Sequence, residues 1–215
     1  MPQIKCSAVL FDLDGVLVDS TQSIIAIWSA WALKNGIEPE KVLQLVHGRR
    51  TTEVLRILMP HLDVEAEARQ IEGGITYKKD GTVAIPGARR LLQSLPEDRW
   101  CVVTSGIGEF ARDRLKAAKL PVPRVLVSAD QVANGKPHPE PYLKGAELLG
   151  IESGKCVVVE DAINGIEAGR AGGMKVIGMT TTFSAAELSA ADVVVKTLEE
   201  IVVSTIGDQL NLQII

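Results

Sequence analysis

Cysteine is scarce in this chain. Its three copies, Cys6, Cys101 and Cys156, form no C-x-x-C pair. An odd, scattered set of this kind argues against a disulfide scaffold and against a thiolate metal site. Cys101 and Cys156 open apolar runs, which predicts buried, reduced thiols. Long apolar stretches are missing as well. None approaches the ~20 residues of a membrane span, and no segment has the pattern of a signal peptide. A soluble, cytoplasmic protein with no membrane partner is expected. Positive charge is not in excess: 23 Lys and Arg face 27 Asp and Glu, a net charge of −4. That balance speaks against nucleic acid as a partner, because phosphate backbones attract basic surfaces. It leaves room for a small anionic ligand in a locally positive cleft. Internal repeats, low-complexity tracts and charge blocks are also lacking. With no heptad or apolar stripe to pair two copies, a monomer is expected.

What remains is an ordinary globular composition, 46% hydrophobic and 23% charged over 215 residues. This is enough for one domain, or for a domain carrying an insertion. Short β-branched runs alternate with segments of helical spacing. The runs Ser7–Phe11, Trp100–Val103, Arg124–Val127, Cys156–Val159, Lys175–Met179 and Asp192–Val195 are mostly apolar throughout, as parallel strands covered on both faces must be. Helices are expected near Ala88–Leu95, Glu109–Ala118, Glu140–Leu149 and Ile163–Ala171. The alternation predicts an α/β fold with a Rossmann-like parallel sheet.

The pattern breaks once. From Asp19 to Ile85 no strand is evident and the spacing is helical. Ser20 or Thr21 is placed to cap a first helix, in which Ile24, Ile27, Trp28 and Trp31 recur three and four residues apart. Lys41–Val46, Thr52–Leu58 and Val64–Tyr77 complete the block. Trp28 and Trp31 read as core packing. The expected division is a catalytic core of residues 1–18 and 86–215, with an all-helical domain of residues 19–85 inserted after the first strand. Paired linkers of this kind permit hinge motion over the strand ends.

The first strand ends in Asp12-Leu13-Asp14-Gly15. Side chains alternate along a strand, so the two aspartates share a side while Leu13 turns to the core. Their mutual repulsion gives folding no reason to place them together, whereas a hard divalent cation would supply one. Ligands of open α/β sheets bind beyond the carboxyl ends of the strands. The other predicted strands deliver polar groups there too. Thr104-Ser105-Gly106 follows the second, Lys136 sits beside Pro137 after the third, and Glu160-Asp161 ends the fourth. Four carboxylates, a lysine and a hydroxyl on one edge make a cation site beside an anion site. Phosphoryl transfer needs that pairing, because a phosphate dianion repels an attacking carboxylate.

Asp12-x-Asp14-Gly15, Thr104, Lys136 and Glu160-Asp161, in that order on those strand ends, resemble the four motifs of the haloacid dehalogenase superfamily, from about Ser7 to Met179. The helical insertion resembles that superfamily's smaller cap type. Within the superfamily, the insertion's His47-Gly48-Arg49-Arg50-Thr51 and the core's Val102–Gly106 and Val159–Ala162 are similar to stretches of the sugar- and polyol-phosphate phosphatases. The resemblance implies that Asp12 attacks phosphorus to form an aspartyl-phosphate. It implies that Asp14 protonates the leaving alkoxide and later activates the hydrolytic water. Mg2+ would be held by Asp12, the backbone carbonyl of Asp14 and Asp161, with Glu160 at or just outside the first layer of ligands. Thr104, with the N–H groups of Ser105 and Gly106, would hold the phosphate, and Lys136 would bridge phosphate and nucleophile. In the insertion, Arg49 and His47 are the expected readers of a small phosphorylated sugar or polyol, and Arg50 is expected to be a solvated surface residue.

Four alternatives compete. A phosphomutase of the β-phosphoglucomutase kind shares the motifs and the Gly15-Val16 pair, and Arg49 with Arg50 would serve its second phosphate. Dehalogenation fits poorly, since the resembling dehalogenases lack the second aspartate, and a phosphonatase would place a Schiff-base lysine where only Lys34 and Lys41 stand. A non-catalytic binding protein on the same scaffold would be marked by a broken motif, and none is broken here. The apolar Leu210–Ile215 segment is expected to be an added edge strand or a disordered tail.

Overall fold

The computed structural model describes residues 2–77, 82–207 and 209–215. The chain opens with β1 (Gln3–Cys6), β2 (Ala8–Phe11) and β3 (Val18–Asp19). Four helices follow, α1 (Thr21–Lys34), α2 (Pro39–Val46), α3 (Thr51–Leu58) and α4 (Val64–Tyr77). After β4 (Val83–Ala84) come α5 (Ala88–Ser94), β5 (Trp100–Val103), α6 (Gly108–Ala117) and β6 (Leu126–Val127). The rest of the chain is α7 (Glu140–Leu149), β7 (Cys156–Glu160), α8 (Ile163–Ala171), β8 (Lys175–Met179), β9 (Val193–Val195), β10 (Ile201–Ile206) and β11 (Gln209–Ile214).

Six strands form one parallel sheet in the order β6-β5-β2-β7-β8-β9. The two-residue alternation of the pleat divides their side chains between two cores. Val9, Phe11, Trp100, Val102, Val157 and Val159 face α5 and α6, where Leu91, Leu92, Ala111 and Leu115 cover them. Ala8, Leu10, Cys101, Val103, Cys156 and Val158 face α7 and α8 and meet Tyr142, Ala146, Ile166 and Ala168. All three thiols are free and buried. This double burial is why the strands read as uninterrupted apolar runs.

The order puts β2 in the middle, with β5 and β7 on its two sides. The carboxyl ends of β2, β5 and β7 are therefore adjacent, separated by the ~4.8 Å spacing of neighbouring strands. Chain direction reverses its walk across the sheet at β2, which leaves a crevice there for a ligand.

Helices α1–α4 enclose a hydrophobic cluster of their own, including Trp28, Trp31, Val54, Leu55 and Ile71. Trp28 and Trp31 pack edge to face at 5.5 Å. Where this block leaves and rejoins the sheet, β3 and β4 pair over two residues, Val18 with Ala84 and Asp19 with Val83. That ladder was not expected from the sequence, because two residues carry no periodicity. Among the described residues no helix is long and apolar enough to cross a membrane.

The C-terminal segment corrects an expectation. It is neither an edge strand of the parallel sheet nor a tail, but the middle strand of a separate antiparallel sheet, β1-β11-β10. Leu210, Leu212 and Ile214 are buried in the core beneath β2, together with Ile4, Cys6 and Ile201. Their two-residue spacing specifies a one-sided strand, and β1 and β10 supply the partners.

Candidate active site

The edge of the sheet assembles from its loops. After Phe11 the chain turns tightly: Val18 and Leu17 donate to the Leu13 carbonyl at 3.0 and 2.9 Å, and Gly15 donates to Val18 at 2.8 Å. Gly15 holds a left-handed φ of +83°, and a Cβ there would lie 2.0 Å from an Asp161 carboxylate oxygen. Glycine is thus needed both for the turn and for the close approach of Asp161. Asp12 is held to β7 by its N–H, which donates to Val159 at 3.0 Å.

Lys136 is buried beneath these loops. Its ammonium donates to Asp12 Oδ1 at 2.6 Å, to Glu160 Oε1 at 2.7 Å and to the Val103 carbonyl at 3.1 Å. The Tyr142 hydroxyl donates to the same Glu160 oxygen at 2.9 Å, and the lysine lies 4.9 Å from the centre of the tyrosine ring. Glu160 Oε2 accepts the N–H groups of Asp161 and Ala162, both at 3.0 Å. Glu160 is therefore saturated by its own surroundings. Asp161 takes the Thr182 hydroxyl on Oδ2.

Asp12, Glu160 and Asp161 each offer a carboxylate oxygen within 4.8 Å of the others, and all three residues are buried. Three buried carboxylates with one ammonium between them leave a local excess of negative charge. Its effect is visible in the acidities. Burial, together with Glu160 and Asp14 and against the pull of Lys136, raises Asp12 from 3.8 to about 7. Burial and the repulsion of Glu160 and Asp12 raise Asp161 well above its ordinary value. Burial works to lower Lys136, but Asp12 and Glu160 overcome it and the lysine stays firmly protonated. A cluster of this kind fits a divalent cation, which prefers oxygen ligands and relieves the repulsion.

The ligand expected from Asp14 is its backbone carbonyl, and its side chain stands apart from the three-carboxylate cluster. Its carboxylate points away from the three-carboxylate cluster, accepting the Ser20 hydroxyl at 2.6 Å and facing Arg114 at 3.4 Å. Ser20 was expected as a helix cap; it stands at the N-cap of α1 but makes no capping bond, because its hydroxyl is engaged by Asp14. Thr104 is buried, and its hydroxyl accepts the Gly106 N–H at 3.0 Å. The Ser105 hydroxyl reaches across to the Gly48 carbonyl at 3.2 Å.

A cavity of about 80 Å³ lies between the sheet edge and the helical block. Asp12, Asp14, Thr104, Ser105, Gly106 and Asp161 line it from the sheet side, and Ser20, Trp28, His47, Arg49, Thr51 and Glu72 from the block. The expected pair Arg49 and His47 thus do face the sheet edge. His47 packs edge-on against Phe183 at 6.1 Å, and burial lowers its pKa. Lys136 and Glu160 lie behind Asp12 rather than on the cavity wall.

Arg50 is not the solvated residue expected of it. Its side chain is only 14% exposed, paired with Glu53 at 2.5 Å and donating to the Val132 carbonyl at 3.2 Å. It ties the block to the loop that carries Lys136. Nothing local in a pair of arginines distinguishes a clamp from a solvated side chain, since the carbonyl it holds is 82 positions away. Glu72, Arg114, Tyr142 and Thr182 were also missed. Tyr142 and Arg114 sit on helices where their neighbours give only an amphipathic pattern, and Glu72 resembles any acidic residue of α4.

A family model described as haloacid dehalogenase-like hydrolase matches residues 9–179. The chain belongs to this family. Among its relatives, hexitol phosphatase A of Escherichia coli is 41% identical over 206 residues, covering 94% of this chain and 95% of that one. Glycerol-1-phosphate phosphohydrolase 1 of Saccharomyces cerevisiae is 36% identical over 212 residues, covering 92% and 85%. These relatives are named phosphatases, phosphoric monoester hydrolases of the haloacid dehalogenase-like family. In three dimensions the chain superimposes on a hydrolase from Pseudomonas syringae with a TM-score of 0.78 at 28% identity, over 89% of this chain and 93% of that one.

Proposed function

We propose that this protein is a Mg2+-dependent phosphatase of small sugar or polyol phosphates that works through an aspartyl-phosphate on Asp12. The observation that carries the reading is the convergence of Asp12, Lys136, Glu160 and Asp161 at adjacent strand ends, with the lysine 2.6 Å from the nucleophile's carboxylate. The family membership and the two phosphatase relatives, one of hexitol and one of glycerol phosphates by name, support it.

Asp12 and Asp161, with Glu160 behind them, would hold the cation, which supplies charge neutralisation to the phosphate oxygens when bound. Lys136 favours the ionised form of Asp12 against the effect of burial and orients it as a nucleophile. Thr104 and the small residues after it give a phosphate room to approach the backbone. Asp14, on the leaving-group side of the cavity, donates a proton to the departing alkoxide and takes one from the water that follows. Residues 19–85 act as a cap on a core of residues 1–18 and 86–215. When closed, the cap would shield the cavity from bulk water and bring Arg49 and His47 to the substrate's carbon end. The three free, buried thiols suit a reducing compartment, the cytoplasm.

The test is phosphate release over a panel of hexitol, hexose, glycerol and nucleotide monophosphates, with Mg2+ or with a chelator. Release from polyol or sugar phosphates, abolished by chelation, is expected. Conversion to an isomeric sugar phosphate without release of inorganic phosphate would overturn the reading in favour of a mutase.

A further inference from the structure

Arg114 of α6 is a buried charge outside the carboxylate–lysine centre. Its side chain is 2% exposed, and its Nε and Nη2 are buried without a hydrogen-bond acceptor in good geometry. Nη2 stands between two carboxylates, 3.4 Å from Asp14 Oδ2 and 3.5 Å from Glu72 Oε2. Asp14 belongs to the sheet edge, whereas Glu72 comes from α4 of the helical block. Glu72 is itself buried and further fixed by the Thr51 hydroxyl at 2.9 Å and the Ile107 N–H at 3.2 Å. Space for this meeting is reserved by Gly106: a Cβ there would fall 2.4 Å from Arg114 Nη2 and 3.0 Å from Glu72 Oε2.

A buried guanidinium needs its charge balanced and its donors directed. Here one nitrogen is shared almost equally by two carboxylates from two parts of the molecule. With the block undocked, Glu72 would leave and Arg114 would face Asp14 alone. The Asp14 carboxylate, held on Oδ1 by the Ser20 hydroxyl at 2.6 Å, thus meets on Oδ2 a guanidinium that the block also holds through Glu72. We infer that Arg114 is a positioning residue, held by Glu72 on closure so that Asp14 is aimed at the leaving group only when the cap is shut. This rests on the reading of Asp14 as the proton donor.

The experiment compares kcat/KM for an alkyl ester, glycerol phosphate, with that for p-nitrophenyl phosphate, whose leaving group departs without a proton. Asp14→Asn serves as the reference and should lower the alkyl-to-aryl ratio by about 10²-fold, the usual contribution of a general acid. Arg114→Met should lower the same ratio by roughly 10-fold or more, and Glu72→Gln should move it in the same direction. Because Glu72 acts through Arg114, adding Glu72→Gln to Arg114→Met should change the ratio by less than about 3-fold, the signature of coupled residues. A ratio that falls in Asp14→Asn but not in Arg114→Met overturns the inference and leaves the acid assignment standing. A ratio unmoved by Asp14→Asn overturns both. Circular dichroism and thermal melting report whether each variant folds. Should Arg114→Met not fold, Arg114→Lys keeps the charge with a single donor point. An intermediate ratio then supports the inference, and a wild-type ratio overturns it.

Discussion

At the scale of single residues, the site is a problem of charge. Asp12 is held where its ionised form is disfavoured by burial and by two neighbouring carboxylates, and only Lys136 opposes them. Its raised pKa means that the metal-free fold is penalised as pH rises from 3.8 towards 7, where the unfolded chain already carries the charge. Asp12→Asn removes that penalty together with the proposed nucleophile. Turnover should fall by on the order of 10³-fold or more, while the melting temperature at pH 7.5 in a chelator should be no lower than wild type. A lower melting temperature would mean that the carboxylate stabilises the fold after all. Gly15→Ala tests the geometry instead. The new methyl would collide with Asp161 and force a left-handed φ on alanine, so Mg2+-dependent phosphate release should be lost by about 10-fold or more, in the range seen when metal-site supports are disturbed. The paired carboxylates and Thr104 were legible in the sequence because each directly follows or ends an apolar strand, and Lys136 because it stands beside a proline in the loop after the third. Glu72 and Arg114 were not, because a buried ion pair between α4 and α6 leaves no periodic trace.

At the scale of elements, the parallel strands were the most readable part. Trp100–Val103 and Lys175–Met179 begin and end where their apolar runs do. Helices α7 and α8 likewise match their sequence patterns, since Pro139 and Gly150 punctuate the first and Gly172 the second. The antiparallel sheet escaped notice because β1 is remote in sequence from the adjacent β10 and β11, and each strand covers only one face of the core. Leu212 tests its weight. It is 1% exposed in β11 and paired opposite Ile4 and Val203. Leu212→Ala should cost about 2–5 kcal/mol in urea unfolding, as buried leucine truncations do. Its kcat should be unchanged, because β11 lies away from the strand ends that build the site.

At the scale of the whole molecule, the cores packed on the two faces of the sheet leave the three thiols without solvent. Burial raises Cys6 from 9.0 to about 12 and Cys156 to about 11, each starting from the same ordinary value. The folded protein thus keeps these protons while the unfolded chain loses them. Stability should be intact below pH 9 and decline as pH rises through the window from 9 to 12. Urea titrations between pH 8 and 11 check the sign, and the alkaline decline should be shallower in Cys6→Ala. The same burial predicts that a thiol reagent at pH 8 labels the native protein only after denaturant is added. Rapid labelling of the folded enzyme would contradict the packing of both cores.

The sequence alone determined which residues end the strands, because covering both faces of a parallel sheet demands continuous apolar runs and makes every polar interruption conspicuous. It also determined the chemical types available there: carboxylates, an ammonium and a hydroxyl. Only the tertiary structure decided that β2 lies between β5 and β7, so that residues 12, 104 and 160 meet across neighbouring strands. It alone joined Glu72 to Arg114 and Arg50 to Val132, since contacts between separately folded layers depend on docking geometry, which local spacing does not encode.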